Sequence, residues 1–362
     1  MKIDLVDLGA QYSTIKDEIQ AGIAEILESQ SFIGGEAVKN FEEHFAETSG
    51  VRHCLGVSNG TDAITLVLKA LGVGAGDEVI VPVNTFIGTA EPVVHVGATP
   101  VFVDSEEDTY LIDPKKISEA LTKNTKAIIP VHLYGQMARM DSICEIAKAN
   151  NLFVIEDAAQ AHLAKYKGKG PGEWGDAATF SFYPGKNLGA YGDAGAVLTR
   201  SEDLALKIKK LSNHGRVKKY DHDIIGYNNR LDALQAKILD IKLKYLKGWT
   251  ESRRKHAEQY SRLLSGKPGL VLPAVLNDSV HVYHQYVVRN QSRDALLQKL
   301  QEKGVGASVH YPIPLNKLAA FKSNKSAERK FPVAERCAGE ILSLPMYAEL
   351  SSSQIEYVCS LI

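Results

Sequence analysis

Between Arg52 and Thr199 the chain alternates short apolar runs with amphipathic segments, and this alternation constrains the fold more than any other feature. The runs are Arg52–Val57, Glu78–Val83, Thr99–Asp104, Lys126–Val131, Leu152–Asp157, Ala177–Phe182 and Gly195–Thr199. Each is apolar almost without interruption, so a sheet built from them is covered on both faces. Helical spacing separates most of them: Ile64, Val67, Leu68 and Leu71, then about Gly88–Val96, Pro114–Thr122 and Arg139–Asn150. Strand and helix in turn predict an α/β fold with about seven strands, mainly parallel, joined by right-handed crossovers, with room for one antiparallel strand.

In such sheets chemistry gathers at the strand ends. The run Ala177–Phe182 leads into Ser181-Phe182-Tyr183-Pro184-Gly185-Lys186-Asn187-Leu188-Gly189-Ala190-Tyr191-Gly192-Asp193-Ala194-Gly195. A loop this rich in glycine lets backbone approach a ligand closely. Its lysine, alone, reads as solvated. Glu156-Asp157-Ala158-Ala159-Gln160 changes that reading, because Asp157 ends another strand. A lysine and an aspartate at the ends of separate strands suit pyridoxal phosphate (PLP), with Lys186 in a Schiff base and Asp157 on the pyridine nitrogen. Ser58-Asn59-Gly60-Thr61-Asp62 lies between a strand and a helix. It reads equally as a capped turn or as an anion cup at a helix N-terminus; beside a PLP lysine the cup is the better reading. Phe86, by spacing alone, reads as core.

The sequence suggests two domains, residues 1–248 and 249–362. Helices are expected over Gln11–Glu28 and about Glu36–Thr48, and a long one from about Arg230 to Lys247. A new helix then starts at Arg253, and the division falls near Gly248. Beyond it, Val282–Arg289 and Gly306–Tyr311 read as strands of a smaller α+β unit around a helix Ser292–Glu302. Gly72-Val73-Gly74-Ala75-Gly76-Asp77 follows a helix and precedes a strand, the reverse of a dinucleotide loop.

A formal net charge of −1 argues against nucleic-acid binding or a polybasic membrane surface. No apolar run approaches the ~18 residues of a membrane span. Cys54, Cys144, Cys337 and Cys359 are scattered, as reduced thiols in a cytoplasmic protein are. The histidines show no metal spacing, so no metal is expected.

These residues together resemble the DegT/DnrJ/StrS family of nucleotide-sugar aminotransferases, PLP enzymes of fold type I. The resemblance runs from Phe32-Ile33-Gly34-Gly35 through Gly56-Val57-Ser58-Asn59-Gly60-Thr61-Asp62-Ala63, the Asp157 segment, the lysine loop and Gly226-Tyr227-Asn228-Asn229-Arg230-Leu231-Asp232 to Leu342-Ser343-Leu344-Pro345-Met346-Tyr347. It implies that Lys186 carries PLP, with pyridoxamine phosphate as the intermediate form. It places Asp157 on the pyridine nitrogen, Gln160 beside the ring hydroxyl, and Gly60, Thr61 and Ser181 at the phosphate. It reverses the reading of Phe86, which would stack on the ring. Asn228 would cross a homodimer to the partner's phosphate.

L-glutamate is the implied donor and a dTDP-linked keto-sugar the acceptor. Tyr183, Lys219, Tyr220, His310 and Tyr311 would reach sugar or nucleotide. Arg216, Lys218 and Lys219 read equally as contacts to the diphosphate or as a solvated face. Ser181-Phe182-Tyr183 ahead of the lysine resembles the branch that acts at C3 of a 3-keto-6-deoxyhexose; relatives acting at C4 more often show Ser-Phe-His. The rivals are a C4 aminotransferase, a non-catalytic PLP-binding regulator, and a sugar dehydratase, whose branch has histidine in place of the lysine. One departure is Leu163, where many relatives have glycine; it leaves the role of His162 open, with a core histidine favoured.

Overall fold

The computed structural model describes residues Met1 to Ile362. The central sheet comprises β1 (His53–Val57), β2 (Glu78–Pro82), β3 (Thr99–Val103), β4 (Thr125–Ile128), β5 (Phe153–Asp157), β7 (Ala177–Ser181) and β8 (Gly195–Thr199). A short β6 (Lys165–Tyr166) pairs outside it with Ser279–Val280. The order across the sheet is β1-β8-β7-β5-β4-β2-β3. All neighbours are parallel except β8, which runs antiparallel to both β1 and β7. The α/β class and the covered parallel sheet expected from the apolar runs are therefore present. One face packs on Phe41, Phe45, Phe180 and Phe182; the other packs on Ile64, Leu66, Val67 and Phe102. Burying each such side chain contributes about 1.5–3 kcal/mol.

Local chemistry sets the helix ends. Asp7 caps α1 (Leu8–Ser29) by accepting from the Ala10 N–H at 2.8 Å. α2 (Gly35–Ser49) stops at Gly50, in the left-handed region at φ 69°. Asn59 caps α3 (Gly60–Ala70), accepting from the Asp62 N–H at 2.8 Å. No helix is long and apolar enough to cross a membrane.

Four expectations need correction. The helix expected to stop at Lys247 runs unbroken from Ala233 to Leu264, so Gly248 lies inside it. Leu246, Thr250, Arg253 and Ala257 are all buried, and packing on both sides of Gly248 outweighs the ~1 kcal/mol that glycine costs a helix. The helix expected over Gly88–Val96 is a 3-10 turn, Ile87–Thr89, followed by a short helix Glu91–His95, because Pro92 has no N–H and fits only at a helix start.

Gly306–Tyr311 is not a strand. The Gly306 N–H is taken by Ile3, and only Ser308 bridges to Ser343. The small sheet is instead Leu270–Val271, Tyr286–Asn290 and Ile341–Leu344, all antiparallel. With helices Arg293–Glu302, Pro332–Glu340 and Ser352–Leu361 it forms the α+β unit. Finally, the strand expected from Val282 begins only at Tyr286, because the preceding residues turn aside to bind the lysine loop: the Val282 carbonyl accepts from Asn187 at 3.1 Å.

Candidate active site

The C-terminal ends of β1, β2, β5 and β7 surround a cavity of about 680 Å³. Nine residues singled out in the sequence line it: Gly60, Thr61, Phe86, Asp157, Gln160, Ser181, Tyr183, Lys186 and Tyr311. Phe86 is 56% exposed at the rim, its ring 5.8 Å from that of Tyr311. The spacing-based reading of Phe86 as core is thus overturned: the chain stays buried through Val83, Asn84 and Thr85 and reaches the surface at Phe86, four residues past the end of β2.

Asp157 is buried, and its carboxylate is fixed from two sides. The Thr89 hydroxyl donates to Oδ2 at 2.7 Å, and the Ala159 N–H donates to Oδ1 at 3.1 Å. Its neighbour Glu156 points to the opposite face, as alternation along a strand requires. There it accepts from His132 and from the Gly172 and Gly175 N–H groups, each at 2.9 Å. Gln160 is held by the Tyr134 N–H at 2.6 Å and donates to the Tyr311 hydroxyl at 3.2 Å.

Across the cavity, the lysine loop is tightly wound. A Cβ on Gly189 would lie 2.2 Å from the Pro184 carbonyl oxygen, so only glycine closes this turn. Lys242, 1% exposed on the long helix, donates to the Gly189 carbonyl at 2.5 Å. Burial lowers the pKa of Lys186 to about 8, against an opposing pull from the Asp157 charge. A base poised near neutrality suits proton transfer.

The cup fits an anionic ligand group. The first N–H groups of α3, at Gly60 and Thr61, have no intrahelical acceptor and point out of the helix. A Cβ on Gly60 would meet Ser181 Cβ at 2.8 Å, and one on Gly195 would meet the Asn59 carbonyl carbon at 2.4 Å. Anion cup, carboxylate and buried lysine around one cavity match the phosphate, pyridine nitrogen and aldehyde of PLP in charge and chemistry.

His310 lies on a smaller adjoining cavity. Lys219, Tyr220 and Asn228 do not line either. Lys219 and Tyr220 belong to an exposed hairpin, Arg216–His222, with Tyr220 86% exposed. Asn228 is exposed beside Asn213. The sequence reading missed Thr89, Tyr134, His284 and Lys242. Of these Lys242 left a signal: it falls on the apolar face of its helix, four residues after Ile238 and four before Leu246.

His162 packs between Phe180 and Phe182, with ring centroids 5.3 and 5.5 Å away. The next residue, Leu163, sits at φ 65°, a left-handed conformation that favours glycine. Burial, then the Lys186 charge, lowers His162 to about pKa 3, and burial lowers His281 to about 3. Burial with the Lys186 charge lowers His310 to about 4 and holds His284 well below its usual value. The unfolded chain protonates these rings near pH 6.5, whereas the folded one stays neutral until about pH 4 or 3. Stability is therefore expected to fall as pH drops below 6.5, by up to about 1.4 kcal/mol per pH unit for each fully buried imidazole. Urea midpoints measured from pH 7 to 5 check this; a flat profile contradicts it.

Fold and site together define an aminotransferase of the PLP type. The profile of the DegT/DnrJ/EryC1/StrS aminotransferase family matches residues 13–362, and the chain belongs to this family. Its relatives include a "Pleiotropic regulatory protein" of Geobacillus stearothermophilus, 48% identical over 99% of this chain and 97% of that protein. A UDP-N-acetyl-3-dehydro-α-D-glucosamine 3-aminotransferase of Acidithiobacillus ferrooxidans is 45% identical, over the same shares of the two chains (99% and 97%). A dTDP-3-amino-3,6-dideoxy-α-D-galactopyranose transaminase of Aneurinibacillus thermoaerophilus is 46% identical over 98% and 96%. Among solved structures, S. venezuelae DesV in complex with a ketimine intermediate superposes with a TM-score of 0.97, at 41% identity over 99% of this chain and 97% of that one. The chain is a sugar aminotransferase, and its substrate is a nucleotide sugar.

Proposed function

We propose that the enzyme moves the amino group of L-glutamate to C3 of a dTDP-linked 3-keto-6-deoxyhexose. The product, a dTDP-3-amino-3,6-dideoxyhexose, serves a surface glycan, such as an O-antigen or S-layer glycan, or a natural-product sugar. The observation that carries this reading is the position of Tyr183. Its phenol is exposed beside Lys186 and lines both cavities, where a sugar ring has to turn toward the lysine. Tyrosine at this position is the residue by which the loop resembles the C3 branch, and the Aneurinibacillus relative is named for such a product.

PLP, when bound, supplies the electron sink for the transfer. The chain's own residues do the rest. The α3 N-terminus and Ser181 hold the phosphate, Asp157 holds a proton on the ring nitrogen, and Thr89 fixes the Asp157 carboxylate. Lys186 Nζ would hold the cofactor and would supply the amine that moves the proton at the reacting carbon. Phe86 and Tyr311 cover the site from water.

Product analysis by NMR after incubation with glutamate and a panel of dTDP-linked 3-keto and 4-keto sugars tests the reading. An amino group at C4, with the 3-keto sugars untouched, assigns the enzyme to the C4 reading instead.

The same proposal takes the enzyme as a cytoplasmic homodimer with shared sites. Two observations support a partner here: Asn228 stands outside its own chain's cavity, and the hairpin region exposes Tyr220 and Ile225, the latter 95% exposed. Mixing inactive Lys186→Ala chains with inactive Asn228→Asp chains is then expected to restore part of the activity, since one mixed site is intact. A carboxylate at position 228 would repel the partner's phosphate. Full activity of Asn228→Asp alone refutes the shared site.

A further inference from the structure

The smaller cavity, about 220 Å³, shares Gln160, Tyr183, Lys186 and Tyr311 with the main one, and two imidazoles face it, His284 and His310. Hydrogen-bond geometry fixes the tautomer of His284. Asn187 Nδ2 donates to the Val282 carbonyl at 3.1 Å, which leaves Asn187 Oδ1 as an acceptor. His284 Nδ1, 3.2 Å from that oxygen, therefore carries the proton. His310 Nδ1 pairs with Ser343 Oγ at 2.9 Å. Burial and the Lys186 charge keep both rings neutral. The His284 ring thus retains a bare lone pair on Nε2, in a cavity that Lys186 also lines. Arg253 holds this segment in turn: its Nη1 donates to the Met346 carbonyl at 2.9 Å and the Tyr283 carbonyl at 3.2 Å, and lies 3.5 Å from the His284 carbonyl.

The other wall of this cavity is apolar, formed by Leu5, Val6, Leu344 and Met346, and Lys186 is the only cation on it. Such a cavity offers acceptors and apolar surface. It suits hydroxyl donors and a methyl group, and it offers an anion only the lysine that the transfer itself uses.

We propose that this cavity reads the sugar ring through its hydroxyls, with His284 Nε2 accepting a hydrogen bond from one of them, and that it excludes sugars bearing a carboxylate. The proposal rests on the aminosugar reading above and narrows its substrate class to uncharged, deoxy-type hexoses.

The two half-reactions of the holoenzyme separate this role from a structural one. Each is followed by the loss of the cofactor's visible absorption, one on mixing with L-glutamate and the other with a dTDP-3-amino-3,6-dideoxyhexose. His284→Phe is expected to slow the amino-sugar half-reaction by about 10- to 100-fold more than the glutamate half-reaction, the loss of one buried hydrogen bond to substrate. His284→Gln, whose amide oxygen reaches the Nε2 position, recovers most of that difference. A 3-amino sugar oxidised to a carboxylate at C6 reacts at least ~100-fold more slowly with the wild type.

Equal slowing of both half-reactions by His284→Phe overturns the role of His284, as does a Gln variant no better than Phe. Equal reaction of the carboxylate sugar overturns the exclusion. A wild type that reacts with glutamate and with neither amino sugar overturns the aminosugar reading itself, and this inference with it.

Discussion

Lys186→Ala is expected to lower transamination by at least about a thousandfold, the scale of losing a group that moves the proton in the reaction. The expectation comes from position and environment together. Lys186 stands in a loop that Gly189 and Lys242 hold shut, faces the cavity, and has a pKa lowered to about 8 by burial. An unprotonated amine is therefore available near neutral pH, as a lysine in water at its usual pKa of ~10.4 would not be. The chemical readout is independent of turnover. Borohydride treatment of the holoenzyme should fix the cofactor on the peptide containing Lys186, and the alanine variant should not be labelled. Label on another lysine, or turnover within tenfold of wild type in the variant, sinks the assignment.

Asp157→Asn is expected to cost about 10²–10⁴ in turnover while leaving measurable cofactor binding. The substitution keeps the volume and removes the charge. Thr89 and the Ala159 N–H both donate to the carboxylate, and an amide offers only one oxygen to the two of them. The neutral side chain no longer holds a proton on the ring nitrogen, so the electron sink weakens, whereas the phosphate cup of α3 and the Lys186 attachment remain. Turnover and cofactor affinity measured on the same preparation separate these outcomes. Near-normal turnover contradicts the role of Asp157; complete loss of binding shows that its role is to hold the cofactor.

Local sequence alone determined a good deal of this protein. Near-continuous apolar runs specified strands buried on both faces, and their alternation with amphipathic segments specified a mainly parallel sheet. Strand ends then located Asp157, Gly60 and Lys186, since a sheet of this kind brings its C-terminal edges to one side whatever the details of its loops. The resemblance assigned these residues roles that spacing could not, and it corrected Phe86 from core to cavity wall.

Tertiary structure decided the rest, and for one recurring reason: packing and long-range hydrogen bonds override local preference. The long helix continues through Gly248 because both flanks are buried, although glycine locally favours a stop. Gly306–Tyr311 has the residues of a strand, but its N–H groups go to Ile3 and Ser343, and Ile341–Leu344 takes its place in the sheet. The clamp on the lysine loop comes from Lys242 and from His284, residues distant in sequence whose partners are backbone carbonyls or a side chain that no local pattern announces. The tautomer of His284 is the extreme case. It follows from where Asn187 points, and Asn187 points to Val282 only because two separate parts of the chain have folded against each other.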